Sequence, residues 1–307
     1  MSINISIAPC CWGIDDVTNP NLPPWKSVLN EAHEAGYKGI ELGPYGYLPL
    51  ADFDEVTSEL ERNELIIVAG TIFSDMKNGD ALEQRLKEAR EICEFITKLP
   101  SFPKEDGQHF ATPYLTVMDW GHDERDYAAG HPDTAPRLSQ EDWDIMVNNF
   151  TQVAKVAKEY GIRAVIHPHA GGYIEFEDEI DGIAEAIPAD LAGFVLDTGH
   201  LYYAGLDPVA WLRKYADRLD YIHFKDIDIE KYHDVLSRKI RFFDGCAEGV
   251  MCPIGQGVVD YEGVLNLLKE IDYHGFITIE QEKDPRNADK SLEEVKASLD
   301  YLKSVGY

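Results

Sequence analysis

Four short runs bring imidazole, carboxylate and ammonium groups together: His167-Pro168-His169, Asp197-Thr198-Gly199-His200, His223-Phe224-Lys225-Asp226 and Glu280-Gln281-Glu282. Each follows a brief apolar run, and in an extended strand residues two apart share a face. His167 and His169 therefore point the same way, as do His223 and Lys225, and Glu280 and Glu282. Val165, Tyr221 and Thr278 precede them on that face, the pattern of a packed floor that opens into a polar mouth. A buried carboxylate without a partner is costly. Groups of this kind on adjacent strands must be matched by one another, by water or by a cation. One divalent cation held by oxygen and imidazole nitrogen satisfies them all, and such donors suit Mn, Fe, Co, Mg or Zn. Taken singly, each residue has a plainer role: a strand-end histidine hydrogen-bonds at a rim, and an Asp before Thr-Gly caps a helix. Four such ends in succession point to a site.

Elements that position these runs alternate along the chain. The strand pattern predicts Ile3–Ala8, Gly39–Leu42, Ile66–Gly70, Tyr114–Met118, Ala164–His167, Gly193–Asp197, Tyr221–Phe224 and Phe276–Glu280. Helices are predicted over 24–36, 51–63, 79–98, 140–160, 177–187, 207–216, 260–271 and 291–304. Gly36 and Gly161 stand where helices must end before the next strand. Eight strand–helix units at about 38 residues each predict an α/β fold, a (β/α)8 TIM barrel with residues 1–307 as one domain. An open doubly wound sheet would show a glycine-rich turn after its first strand, whereas this one runs into APCCWG. In a barrel, catalytic groups project from the C-terminal strand ends, where the four runs fall. Two long connections, Asp119–Ser139 and Asp226–Asp260, follow strands and so belong to the same rim, as lids or substrate walls.

Composition narrows the partners. The 307 residues include 28 Lys+Arg against 56 Asp+Glu, a net charge of -28. Nucleic acid and anionic membrane surfaces need a basic face and are not expected. No Gly-rich phosphate cradle is present, so an uncharged small molecule is the expected substrate. Five cysteines without a CxxC do not form a disulfide framework, which fits a reducing compartment. The first residues lack a basic start and a long apolar run, and no apolar stretch suits a membrane span; the cytoplasm is the expected location. The long loops and the C-terminal helix leave room for a homo-oligomer or a small accessory subunit.

The motifs APCCWGIDD, EAGYKGIELG, HPHAGGYIEFEDEIDGI, LDTGHLYYAGLDP, YIHFKDI and CPIGQGVVDYEGVLNLLKEIDYHGFITIEQEKDP follow one another over nearly the whole chain. In this order they resemble the xylose-isomerase-like superfamily of sugar isomerases and epimerases, and most of all its inosose dehydratase-like branch. The resemblance implies one divalent metal, manganese foremost, held by residues from strands five to eight. Asp197, His223 and Glu280 match three of the four ligand positions. At the first position many relatives carry Glu-Asn-His where this chain has His167-Pro168-His169, so the fourth ligand is His167 or else Glu175 from the following loop. One of the two acid/base carboxylates of the epimerases is thereby missing, which favours elimination over epimerisation.

The implied chemistry is loss of a proton beside the carbonyl of a keto-cyclitol or keto-sugar. His169 or His200 is the expected base. Lys225 would stabilise oxyanion charge, with Glu280 beside it at the reacting centre and Asp226 orienting it. Trp12, Trp120, Glu175 and Asp226 are candidate substrate contacts, and Tyr45, Tyr47 and Phe73 could stack on a ring. Loss of a β-hydroxyl is dehydration, loss of a β-linked aglycone cleaves a 3-keto-glycoside, and return of the proton is isomerisation or epimerisation. A metal-dependent nuclease on the same barrel conflicts with the charge of -28. A non-catalytic sugar-binding protein would bind a keto-sugar without metal.

Overall fold

In the computed structural model, which describes residues 2–307, eight parallel strands close into a barrel. They are Ser2–Ile7, Gly39–Glu41, Ile66–Ser74, Tyr114–Asp119, Arg163–Ile166, Ala192–Asp197, Leu219–Phe224 and His274–Ile279. Each pairs with its neighbours in sequence, and the first pairs with the eighth, Ser2 opposite His274 through Ile7 opposite Ile279. Helices Trp25–Glu34, Phe53–Arg62, Leu82–Ile96, Gln140–Glu159, Glu177–Ala186, Pro208–Lys214, Tyr261–Glu270 and Ser291–Val305 cover the outside. Local chemistry starts several of them: Ser139, Asp207 and Asp260 each accept a first-turn backbone N–H.

Two hydrophobic layers hold the barrel. A large cluster fills the space between strands and helices, and includes Ile40, Ile67, Leu115, Ile166, Leu196, Ile222 and Ile277. The alternate residues, Val68, Ala69, Tyr114, Val165, Val195, Tyr221 and Phe276, pack inside the barrel as its floor. Strand alternation then lifts His167 above Val165, Asp197 above Val195, and His223 and Lys225 above Tyr221. Thr278 and Glu280 rise above Phe276 in the same way. A polar tier separates floor from mouth: Ser6 Oγ lies 2.6 Å from Thr278 Oγ1, which also bonds the Tyr221 hydroxyl.

The two long connections are more structured than expected of loops. The first contains the short helix Asp123–Asp126. The second contains helices Ile229–Arg238 and Phe242–Ala247, and its strand Met251–Cys252 pairs antiparallel with Asp226–Ile227. Its Tyr232, Val235, Phe242, Cys246, Val250 and Met251 gather against Tyr203 and Ala170 into a separate small core, which makes a folded excursion favourable. The Asp226 carboxylate ties this excursion together by accepting N–H groups of Ile227 at 2.9 Å, Gly255 at 2.8 Å, Gly257 at 3.0 Å and Val259 at 3.0 Å. Among the described residues no helix is long and apolar enough to cross a membrane.

Candidate active site and metal centre

Residues from the second and the fifth to eighth strands meet above the floor. Ligand atoms of His167, Asp197, His200 and Glu280 all lie within 4.8 Å of one another, as do those of Glu41, His223 and Glu280. Asp197 divides its work: Oδ1 accepts the His200 N–H at 2.8 Å and caps helix Thr198–Tyr203, while Oδ2 turns to the centre. Lys225 threads up beside Gly199, where an added Cβ would lie 2.6 Å from the lysine Cγ, so only glycine leaves room for its stem. Its Nζ stands 3.1 Å from Glu280 Oε2, 3.3 Å from Asp197 Oδ2 and 2.8 Å from His200 Nε2, and also bonds Glu282. His223 bridges two carboxylates, with Nε2 2.9 Å from Glu41 Oε1 and Nδ1 3.2 Å from Glu280 Oε2.

Electrostatics follows from this crowding. Burial alone would push His223 down, but Glu280 and Glu41 outweigh it and hold the imidazole up at about 10. Burial likewise opposes the Lys225 ammonium, yet Asp197, Glu282 and Glu280 raise it well above its usual range. Burial pushes Asp197 up to about 6 against the pull of Lys225. Glu280 falls well below the usual carboxylate range, because His223 and Lys225 overcome the effect of burial. Burial, and then neighbouring cationic groups, keep His167, His169 and His200 neutral, with His169 lowered to about 4.

These residues fit a divalent cation. Buried His167 has no hydrogen-bond partner at Nδ1 or Nε2, while Asp197 Oδ2 and His223 Nδ1 have only ion-pair contacts, with Lys225 and Glu280, and orphaned polar atoms in a protein interior call for a partner. Neutral imidazoles and carboxylates are the required donors, so His223 would give up its proton as an ion binds. Glu41, Asp197, Glu280 and Glu282 also outnumber the two cationic groups, Lys225 and His223, which leaves negative charge for an ion to neutralise.

Above the centre lies a chamber of about 50 Å³ whose wall includes Cys10, Asp15, Glu41, Phe73, His169, Glu280 and Glu282. Asp15 and Phe73 also line an outer vestibule of about 370 Å³, with Trp120, Arg241, Phe243 and Arg286. Phe73 stacks on Trp120 at 5.1 Å, and Phe243 meets Trp120 edge-on at 5.3 Å, giving the vestibule an aromatic wall. His169 Nδ1 lies 2.8 Å from the Ala170 carbonyl, which leaves Nε2 as its acceptor. Of the two histidines expected as base, His169 is in the chamber wall, and His200 lies behind it with ring centres 4.0 Å apart.

The structure brings His167, His169, Asp197, His200, His223, Lys225 and Glu280 together, and places Trp120 on the vestibule. It does not place three expected substrate contacts there. Trp12 turns into the core from a tight turn over Pro9–Trp12, and its indole N–H donates to Glu31 at 2.7 Å. Glu175 accepts the Gly130 N–H at 2.7 Å and the Gly171 N–H at 2.9 Å beside Arg125, so its carboxylate clamps two loops and is not the fourth ligand. Asp226 is consumed by the backbone of the excursion and does not orient Lys225. Tyr45 and Tyr47 are likewise engaged away from the chamber, by Glu91 and the Pro23 carbonyl. Sequence reasoning missed Glu41, which also accepts from the Tyr221 hydroxyl at 2.6 Å. Its position at the end of the second strand was the available signal.

Comparisons with known proteins agree with this architecture. The inosose dehydratase of Geobacillus kaustophilus is 31% identical over 291 residues, covering 92% of this chain and 88% of the relative. Among solved structures, the probable 3-DHS dehydratase AsbF of Bacillus anthracis superposes with a TM-score of 0.70 at 16% identity, covering 98% of each chain. The IOLI protein with a bound zinc atom superposes with a TM-score of 0.69 at 16% identity, over 98% of this chain and 99% of that one. The family described as xylose isomerase-like TIM barrel matches residues 29–305. With the closed barrel, that match establishes that the chain belongs to the xylose isomerase-like TIM barrel family.

Proposed function

We propose that this protein is a metal-dependent lyase that removes the proton beside the carbonyl of a keto-cyclitol or keto-sugar and expels a β-hydroxyl as water. The observation that carries the reading is the convergence of His167, Asp197, His200 and Glu280, with ligand atoms within 4.8 Å, under a small chamber. The full-length similarity to an inosose dehydratase supports the substrate class. His167, Asp197, His223 and Glu280 are the proposed ligands: Glu280 joins the two clusters, its Oε2 lying 3.2 Å from His223 Nδ1, whereas His200 Nε2 is already met by Lys225 Nζ at 2.8 Å. The donors suit several divalent ions, and manganese is proposed on the resemblance. The bound ion would supply Lewis acidity toward the substrate's carbonyl oxygen.

The chain's own residues do the rest. His169, neutral and with Nε2 free, accepts the proton from the carbon beside the carbonyl. The Lys225 ammonium, fixed among Glu280, Glu282 and Asp197, faces the negative charge that develops as that proton leaves. Glu280 holds both Lys225 and His223 in place. The narrow chamber keeps bulk water from the reacting atoms. Five buried free cysteines support a reducing compartment, the cytoplasm.

The aromatic wall of the vestibule favours a second reading, in which the group expelled is the aglycone of a 3-keto-glycoside. Incubation with 2-keto-inositol and with 3-keto-glycosides, with manganese added or chelated, tests both by product mass. Loss of one water supports dehydration, and a freed aglycone supports cleavage. Unchanged mass with both substrates and manganese present overturns the lyase reading.

A further inference from the structure

Elimination needs a proton donor for the departing oxygen as well as a base, and no residue described so far serves that need. Asp15, in the loop after the first strand, lies in the wall shared by chamber and vestibule. Its surroundings differ from those of the other acids there. Glu41 is held by His223 and Tyr221, and Glu280 and Glu282 are held by Lys225. Neighbouring Asp16 accepts both the N–H and the hydroxyl of Thr18. Asp15 makes no hydrogen bond or salt bridge to any described residue.

The position of Asp15 is built into the backbone. Gly13 adopts φ 75°, and an added Cβ there would stand 2.5 Å from the Pro285 nitrogen and 2.8 Å from the Lys283 carbonyl oxygen. The loop is thus pressed against the segment that follows Glu282. Ile14 anchors in the core, and Asp15 shares the chamber wall with Glu280 and Glu282, just past the eighth strand. Burial, reinforced by Glu282 and Glu280 against the pull of Lys225, pushes its carboxyl well above the usual range. His169 stands in the same chamber wall, so a carboxyl and the Nε2 of an imidazole face one small space.

We infer that Asp15 is the general acid that protonates the departing β-hydroxyl, an assignment that rests on the lyase reading above. His169 takes the proton from the carbon beside the carbonyl, and the electron pair of that C–H bond becomes the new C–C double bond. The β C–O bond breaks with its pair on oxygen, and the Asp15 proton joins that oxygen to give water. Aspartate and imidazolium remain, and solvent returns them to acid and neutral imidazole.

The test compares the wild type with Asp15→Asn in the full chain with manganese, on 2-keto-inositol and on its analogue with fluorine at the β-carbon. Fluoride leaves without a proton. Exchange of the hydrogen beside the carbonyl with deuterated water is followed in parallel, and it also reports that the variant is folded. Asp15→Asn should retain exchange and fluoride release within a few-fold of wild type, while water loss falls about 10²- to 10⁴-fold, the range for general acid catalysis. Asp15→Glu should recover part of the water loss. Equal loss on both substrates, or unchanged water loss, overturns the assignment of Asp15 alone. A wild type that neither exchanges nor eliminates overturns the lyase reading, and this inference with it.

Discussion

Lys225 Nζ lies 3.3 Å from Asp197 Oδ2, the oxygen left over after the same carboxylate has capped the following helix. The ammonium therefore stabilises a cluster that metal would otherwise have to neutralise alone. Lys225→Met should destabilise the chelated protein by about 3–5 kcal/mol, the cost of removing one partner of a buried pair. Saturating manganese should recover a large part of that loss, because an ion that binds only the folded state raises its stability. Urea unfolding with and without metal measures both quantities. Absence of any recovery would contradict a cation site beneath the chamber.

Acid should weaken the fold through its buried imidazoles. His169 titrates at about 4 when folded against an ordinary 6.5, because burial and Lys225 disfavour its charge. A folded value below the unfolded one gives stability that is complete above pH 6.5 and is lost as pH falls toward 4. The amount is ~3 kcal/mol at one pKa unit per ~1.4 kcal/mol. His167 and His200 shift in the same direction and add to it. Urea midpoints of the chelated protein should fall steeply between neutral pH and about pH 4.5, and His169→Gln should flatten that slope. Equal slopes for the two proteins would show that His169 is not held neutral.

The vestibule wall is latched from across the barrel mouth. Asp126 Oδ2 accepts from Arg241 Nε at 2.7 Å, and Oδ1 accepts the Phe242 N–H at 2.9 Å. Asp126→Ala should free helix Phe242–Ala247 and the Phe243 ring that it carries. The expected result is a KM about tenfold higher, ~1.4 kcal/mol of lost binding, with a smaller change in kcat. Faster limited proteolysis of the excursion should accompany it. A change in kcat alone would place Asp126 in the chemistry instead of the wall.

Trp12 and Trp120 should behave oppositely. Trp12→Phe should lower stability by about 1–3 kcal/mol, through the lost bond to half-buried Glu31 and imperfect packing, and leave KM unchanged. Trp120→Ala should raise KM with little effect on the unfolding midpoint. Thermal unfolding and steady-state kinetics on the two variants separate these roles.

The barrel and most of the mouth were legible in the sequence because they rest on local periodicity. Val165 below His167, and Tyr221 below His223 and Lys225, are two-residue spacings that any strand must obey. Glu41 was not legible, since its partnership with His223 exists only once the barrel closes and spans 182 residues of sequence. Glu175 and Asp226 misled for a related reason. A carboxylate after a strand looks the same whether it faces substrate or backbone N–H groups, and distant loops decide which. Trp12 was set by a single turn that swings it outward into the helical layer. The helices of the 226–260 excursion went unseen because their apolar residues pack on one another and on Tyr203, apart from the barrel's own repeat.

Asp226 sits one residue beyond Lys225, yet it anchors four backbone amides of the excursion. The catalytic strand thus ends in a fixed post, and everything from Ile227 to Val259 hangs from that post without bearing on the lysine. Changes of length or sequence in this region can reshape the vestibule while leaving proton transfer below it undisturbed. One barrel can in this way acquire new substrates by exchanging its roof.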